Sequence, residues 1–156
     1  MDVRPLRQDE VATLVDDLWL PFAEEMAEID PYNELAEDAR EHAFPYRRDR
    51  LHDDDVETFV AVTENGEFAG YVEGEYRSPP PVFARGPECY VEGVYVRPEN
   101  RDRGLADRLM SRIEDWAVER GCDRLSLDVN EANEAAMSLY EKRGYSIKRH
   151  RMIREL

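Results

Sequence analysis

The sequence VYVRPENRDRGLADRLM, residues 94–110, joins a strand-like run to a helix-like run. Residues 89–96 (CYVEGVYV) predict a β-strand, and Pro98 prevents that strand from continuing. A helix is predicted to begin near Gly104 and to end at Gly121, a natural C-terminal stop. Its apolar stripe, at helical spacing, consists of Leu105, Leu109, Ile113 and Trp116. The chain therefore turns from strand to helix at a glycine.

Four arginines surround this glycine in a chain whose formal net charge is −15: Arg97, Arg101, Arg103 and Arg108. The N–H groups of a first helical turn have no partners within the helix, and the helix dipole favours an anion there. Gly104 has no Cβ to hinder close approach, and Arg101 and Arg103 can add charge-assisted hydrogen bonds. The stretch predicts a phosphate-binding site. The alternative is an ordinary helix start with surface arginines.

Composition limits the class of protein. A chain of 156 residues is expected to form one domain, residues 1–156, and "MDVRPLRQDE" is too polar for a signal peptide. No apolar run approaches the ~18 residues of a membrane span. Cys89 and Cys122 lack CxxC spacing and the three histidines lack metal spacing, so we expect no metal and a reduced, cytoplasmic protein. Its acidity argues against nucleic-acid binding and favours a cytosol of high salt.

Periodicity predicts an α+β domain. The expected order is strand 2–6, helix 8–20 interrupted by Pro21, helix 33–44, a charged loop 47–55, a hairpin 56–77 turning at Asn65-Gly66, loop 78–88, strand 89–96, helix 104–120, strand 124–129, helix 133–143 and a last strand 145–153.

Two motifs resemble the GNAT superfamily of acyl-CoA-dependent N-acetyltransferases. Residues 101–106 (RDRGLA) are similar to its pyrophosphate loop, Gln/Arg-x-x-Gly-x-Gly/Ala, with Ala106 where Gly is commoner. Residues 96–104 also fit the family's VxPxxRxxG lead-in. A second signature, Asn-x-x-Ala-x-x-Leu-Tyr-x-x-x-Gly-Phe/Tyr, is matched by Asn133, Ala136, Leu139, Tyr140, Gly144 and Tyr145. The opening VRPLRQDE is also similar to the family's first strand and helix, so the resemblance covers essentially the whole chain.

The resemblance implies a GNAT fold, a mixed and mostly antiparallel sheet flanked by helices. Its central strands, here 89–96 and 124–129, are expected to splay and to hold CoA. The cofactor-binding residues that it implies are Val94, Tyr95, Val96, Arg101, Asp102, Arg103, Gly104, Leu105, Ala106 and Asn133. Asn133 and Tyr140 are seven residues apart, nearly two helical turns, so they share one helix face.

The reaction implied is direct attack by a primary amine on the acetyl thioester, in a ternary complex and without a metal. Deprotonating a lysine-like amine at pH 7 costs about 4.6 kcal/mol, and an α-amine about 1 to 1.4 kcal/mol, so a base helps. The candidate catalytic residues are Glu92 as the base and Tyr140 as the donor to the leaving thiolate. Alternatively, Glu92 is simply one of the many acidic residues of this chain, and Tyr140 is a core-packing residue.

Several points stay open at this stage. Glu73 and Glu75 either meet a cationic amine or form a solvated acidic face. Trp19, Phe22 and Met26 either pack the core or line the acceptor pocket. The acceptor is a small molecule, a protein N-terminus or a lysine, and a homodimer is one expected state because edge-strand dimers are common in the family. The alternative function is a catalytically silent CoA-binding sensor or subunit.

Overall fold

The structure, a computed structural model, describes residues 1–156 and is built on a five-stranded sheet in chain order. The strands are β1 (Asp2–Pro5), β2 (Val56–Val62), β3 (Phe68–Arg77), β4 (Glu88–Val96) and β5 (Arg124–Leu127). β1 to β4 pair antiparallel, and only β4 and β5 are parallel. The mixed, mostly antiparallel sheet of the sequence analysis is confirmed.

Five α-helical segments cover the two faces of the sheet. They are α1 (Val11–Leu14), α2 (Leu20–Ile29), α3 (Ala39–Leu51), α4 (Leu105–Glu119) and α5 (Glu134–Lys142). One apolar core lies between α4 and the sheet, and a second lies between the sheet and α1 to α3. Successive residues of a strand point to opposite faces of the sheet, so Val72 packs into the first core and Tyr71 packs into the second. None of the helices combines the length and apolar character that a membrane span requires.

The hairpin predicted at Asn65-Gly66 is present between β2 and β3. Gly66 has φ +84°, a backbone conformation that side-chain-bearing residues rarely adopt. The turn is closed by the Thr63 N–H, which donates to the Glu67 carbonyl at 2.8 Å. Glycine is therefore required here by the backbone of the turn.

Pro21 does not interrupt the first helix as the sequence predicted. A π-helical turn, Val15–Trp19, joins α1 to α2, and the Leu20 N–H donates to the Val15 carbonyl five residues back. Because proline has no N–H and its ring clashes with the carbonyl four residues earlier, a widened turn accommodates it. The helical path continues to Ile29 and brings Phe22 and Glu25 to the sheet.

The second predicted helix lies later in the chain than expected. It was placed at 33–44 with a charged loop at 47–55, whereas α3 spans Ala39–Leu51. Arg47 and Arg50 of α3 form ion pairs with Glu73 of β3, which is 1 % exposed. These partners are distant in sequence, so local composition indicated a loop where tertiary ion pairs stabilise a helix.

The last predicted strand, 145–153, is not formed. The chain after Lys142 has no regular structure, and residues 146–156 are all exposed. A strand needs a neighbour to complete its ladder of hydrogen bonds. No other strand of this chain pairs with the segment, although β5 keeps one free edge.

Candidate active site

The two parallel strands separate beyond Val91. β4 pairs with β5 only from Glu88 to Val91, where the partners are Arg124 to Leu127. On its other side β4 remains paired with β3 up to Val96. The segment from Glu92 to Val96 therefore has one open edge, and the predicted splay of the central strands is present.

Alternation along β4 determines which backbone groups face this opening. The Arg97 N–H donates to the Ala69 carbonyl of the β3 side at 2.9 Å. Because strand backbone groups alternate with a period of two, Tyr95 also faces β3, and Val94 and Val96 face the opening. The Val96 carbonyl accepts a hydrogen bond from Arg101 Nε at 2.8 Å. The N–H and C=O of Val94 remain available to a ligand.

A β-bulge at Glu92 lies where the two strands separate. Gly93 is opposite Glu73 and Val91 is opposite Gly74, which leaves Glu92 as the extra residue of β4. A Cβ on Gly93 would lie 3.1 Å from Phe22 Cε2. Glycine at this position thus lets Phe22 of α2 pack against the strand beside the bulge.

The loop before α4 has the backbone of an anion cradle. Asp102 and Gly104 both have positive φ, 61° and 74°, and a Cβ on Gly104 would meet nothing within 4 Å. The Arg108 N–H donates to the Gly104 carbonyl at 3.1 Å, so the helix ladder starts there. The N–H groups of Leu105, Ala106 and Asp107 are left without helical partners. These donors and the helix dipole converge on open space in front of Gly104.

The arginines around this loop differ in their availability. Arg101 donates to both carboxylate oxygens of Glu25 at 2.8 and 2.9 Å, in addition to its bond to Val96. Arg97 donates to the Phe68 carbonyl, and Arg108 donates to the Met1 carbonyl. Three of the four arginines are thus already bonded to other groups of the protein, and two of them, Arg97 and Arg101, hold the loop. Arg103 is exposed and forms no ion pair.

An open cavity of about 540 Å³ lies between the first turn of α4 and α5. Its lining residues are Asp107, Ala135, Ser138, Leu139, Lys142 and Arg143. Arg143 bridges Asp107 and Glu114 of α4, whereas Lys142 forms no ion pair. The cavity therefore adjoins the cradle and has one available ammonium group.

Helix α5 presents Asn133 and Tyr140. Asn133 is the N-cap: its Oδ1 accepts from the Ala136 N–H at 3.1 Å, and its Nδ2 lies 3.7 Å from Met26 Sδ. Tyr140 is half-buried with its ring centroid 5.7 Å from that of Tyr145. Burial alone raises the pKa of Tyr140 to about 12. The phenol is therefore protonated throughout the neutral range.

Glu92 is held from α3. Tyr46 donates its hydroxyl to Glu92 Oε1 at 2.9 Å, and Arg50 Nη2 approaches Oε2 to 2.6 Å without the alignment of a hydrogen bond. The other nitrogens of Arg50 donate to Glu73 and Glu75. One guanidinium thus links three carboxylates of β3 and β4.

The contacts around Arg50 also bear on Glu73 and Glu75, which were expected either to meet a cationic amine or to form a solvated acidic face. Arg47 and Thr58 also donate to Glu73, at 2.5 and 3.2 Å. Glu73 therefore belongs neither to a solvated face nor to an amine-binding surface, whereas Glu75 is partly exposed and pairs with two arginines. The sequence did not single out Tyr46, Arg47 and Arg50. Their only signal was spacing: Tyr46 and Arg47 precede Arg50 by four and three residues, which makes each a neighbour of Arg50 on a helix surface.

Of the two roles considered for the aromatic residues of the first helical path, the structure shows core packing. Trp19 and Phe22 pack against the second core, and Phe22 also approaches the bulge at Gly93. A second cavity, about 390 Å³, lies between this path and the end of β4. Its five carboxylates are Asp16, Asp17, Glu24, Glu25 and Glu99.

Comparison with known proteins identifies the family. The model of the acetyltransferase (GNAT) family matches residues 14–145. This chain belongs to the GNAT acetyltransferase family. An acetyltransferase of Pectobacterium atrosepticum is 33 % identical over 145 residues, which are 93 % of this chain and 87 % of that protein. The fold and the enzyme class expected from the sequence are confirmed.

Several solved structures share this fold. A tetramutant of the BH1408 protein of Bacillus halodurans superposes with a TM-score of 0.88 at 17 % identity, with both chains fully covered. A predicted acetyltransferase of Clostridium acetobutylicum, solved with acetyl-CoA, gives 0.76 at 18 % identity, with 99 % of this chain and 95 % of that chain covered. The aminoglycoside N-acetyltransferase AAC(6')-Iy, in complex with CoA, gives 0.74 at 17 % identity over 99 % and 93 %.

Proposed function

We propose that this GNAT acetyltransferase transfers an acetyl group from acetyl-CoA to a primary amine by direct attack within a ternary complex. The observation that carries the proposal is the open edge of β4 at Val94, next to the cradle in front of Gly104. An amide-bearing arm can pair with the former as an added strand would, and a pyrophosphate can accept hydrogen bonds from the latter. CoA carries both groups, so the residues present fit it.

The contacts divide the proposed cofactor residues into two kinds. Backbone groups of Val94 and Val96 and the N–H groups from Gly104 to Ala106 are proposed to bind CoA directly. Arg103 supplies the available positive charge of the loop. The side-chain amide of Asn133 is also proposed to contact CoA directly. It would do so through Nδ2, because its Oδ1 already caps α5.

The remaining cofactor-binding residues predicted from the sequence are proposed to hold the loop in its conformation, and not to contact CoA through their side chains. Arg101 ties the loop to Val96 and to Glu25 of α2, and Tyr95 lies under its guanidinium at 5.5 Å. Asp102 provides the positive φ that turns the backbone donors in one direction, a conformation that aspartate tolerates. Leu105 contributes its N–H while its side chain is buried in the core.

Acetyl-CoA supplies the activated thioester carbonyl that the amine attacks. Glu92, projecting from the bulge, is proposed to take the proton that the attacking amine must lose, and its contacts with Tyr46 and Arg50 keep it in one position. The chemical identity of the acceptor is not set by these residues, so the proposal covers small-molecule amines, protein N-termini and lysines.

Tyr140 is proposed to donate a hydrogen bond to the leaving thiolate. A phenol of pKa about 12 would lose its proton to a thiolate, whose thiol has a pKa near 8.5, only at a cost of about 5 kcal/mol. Tyr140 therefore stabilises the developing charge while keeping its proton, as a donor of an oxyanion-type site does. The thiol proton is then taken from solvent after release.

The experiment that tests the function is thiol release from acetyl-CoA across a panel of amines, aminoglycosides and N-terminal peptides. We expect release that depends on the acceptor and saturates with it, since direct attack requires a ternary complex. CoA binding without any acceptor-dependent release would support the silent sensor or subunit instead. Absence of CoA binding would contradict both functions.

Glu92→Gln tests the base. We expect kcat/KM for a lysine-like amine to fall by about 10²-fold at pH 7, because general-base catalysis contributes about that much or more. The matched control is Glu75→Gln, which also removes one carboxylate from Arg50 but lies on the neighbouring strand, β3, opposite Tyr90. Equal losses in the two variants would show that Glu92 acts through Arg50 and not as a base.

The composition supports two further proposals, one domain over residues 1–156 and a cytoplasm of high salt. At high ionic strength the repulsion among 36 acidic side chains is screened over a few ångströms. Equal free energies of unfolding with and without molar KCl would contradict the salt proposal.

A further inference from the structure

Tyr71 of β3 has a buried hydroxyl group that forms no hydrogen bond within the protein. The residue is 1 % exposed, and its ring packs edge-on against Phe22 of α2, with the ring centroids 6.3 Å apart. The charged side chain of Arg47, which acts on this phenol, donates to Glu73 instead. A buried hydroxyl without a partner lowers the stability of a fold, and phenylalanine would fill nearly the same space. Packing alone therefore does not account for a tyrosine here.

The Tyr71 hydroxyl lies beside the bulge of β4. A Cβ added to Gly93 would lie 3.4 Å from Tyr71 Oη and 3.1 Å from Phe22 Cε2. Gly93 is half-buried and directly follows Glu92, in the segment of β4 that has one open edge. A larger residue at this position would contact the hydroxyl, so glycine keeps the space next to it free.

The hydroxyl is neutral and lies in the electrostatic field of the proposed base. Burial raises the pKa of Tyr71 above its usual range, the charge of Arg47 opposes this rise, and the charges of Glu73 and Glu92 add to it. A neutral phenol oxygen can accept a hydrogen bond. Of the two carboxylates Glu92 is the accessible one, since its side chain is 27 % exposed and that of Glu73 is 1 % exposed. An amine that reaches Glu92 therefore has the Tyr71 oxygen as a second, uncharged acceptor.

We propose that the Tyr71 oxygen accepts a hydrogen bond from the same acceptor amine that Glu92 deprotonates. This inference rests on the proposed function. An ammonium group has three N–H donors, and away from water each needs an acceptor. Glu92 accepts one of them and takes that proton, whereas Tyr71 accepts another and keeps its own proton. Two contacts fix the position of the nitrogen beside the thioester better than one contact does.

Tyr71→Phe tests this contact. For the best amine of the acceptor panel we expect kcat/KM to fall about 10- to 100-fold, mainly through a higher KM of the amine, as for the loss of one hydrogen bond to a charged group. Calorimetric titration of that amine into CoA-saturated protein should show a Kd raised by a similar factor. The Kd of acetyl-CoA should not change. The urea midpoint of unfolding should stay the same or rise, because the variant removes a buried hydroxyl without a partner.

Tyr76→Phe is the matched control. Tyr76 lies on the same strand, but its side chain packs against the first core, on the opposite face of the sheet. Its kcat/KM should equal that of the wild type.

Three results would overturn the contact between Tyr71 and the amine. They are an unchanged kcat/KM in Tyr71→Phe, a fall in kcat with the KM and Kd of the amine unchanged, and a fall in activity that a lower urea midpoint accompanies. Acceptor-dependent thiol release by the wild type would leave the proposed function intact in each case. A wild-type protein without such release overturns the proposed function, and this inference with it.

Discussion

Gly104→Glu raises the Kd of acetyl-CoA by at least about 100-fold, which corresponds to about 2.7 kcal/mol. Gly104 has φ +74° at the start of α4, and the space in front of it is open. A glutamate there places a carboxylate where the N–H groups of Leu105 and Ala106 are proposed to bind the pyrophosphate. Like charges repel at this distance, and the backbone loses its close approach to the anion.

Gly121→Glu is the matched control for this variant. Gly121 lies just beyond the other end of α4, has φ +78° and likewise has no atom within 4 Å of an added Cβ. The two variants therefore add the same charge and a similar backbone strain, about 1 to 2 kcal/mol. We expect similar losses of stability but a weakened affinity only in Gly104→Glu. If folded Gly104→Glu binds acetyl-CoA as tightly as the wild type does, the cradle in front of Gly104 does not bind the pyrophosphate.

Tyr140→Phe lowers kcat by about 100-fold and leaves the Kd of acetyl-CoA unchanged. The loss has the size measured for single donors of oxyanion sites, because the hydroxyl is proposed to act only as charge develops on the thiolate. Since burial raises the pKa of Tyr140 to about 12, ionisation of the phenol should not reduce the wild-type rate below about pH 11.

Tyr145→Phe is the control for the hydroxyl. Tyr145 packs against Tyr140, and its own hydroxyl donates to Glu114. Removing it should cost about 1 kcal/mol of stability and little activity. If Tyr140→Phe weakens acetyl-CoA binding as much as it slows turnover, Tyr140 is a binding or packing residue and not a donor to the thiolate.

Local sequence signals predicted the central part of the fold well. Three features depend only on residues close together in the sequence, and all three are present: the Asn65-Gly66 turn, the apolar stripe of α4 and the glycine before that helix. The two errors in the helices have different causes, one in the local backbone and one in distant contacts. A π turn carries the helix past Pro21, and Glu73, distant in sequence, stabilises a helix where charge indicated a loop.

The same distinction applies to the candidate site. Spacing placed Asn133 and Tyr140 on one helix, and the resemblance to the family placed the pyrophosphate loop at residues 101–106. Neither showed that Arg101 is engaged by Glu25, 76 positions earlier, or that Glu92 is held by Arg50 and Tyr46. The predicted strand 145–153 has no partner within one chain, and a single sequence does not reveal whether a strand finds its neighbour in another copy.

The most direct measurement is a titration of ¹⁵N-labelled protein with CoA, followed through backbone amide resonances. We expect the largest changes at Val94 and at Gly104, Leu105 and Ala106, where the open strand edge and the cradle lie. Changes confined to the acidic cavity beside α2, around Glu24 and Glu99, would contradict this expectation.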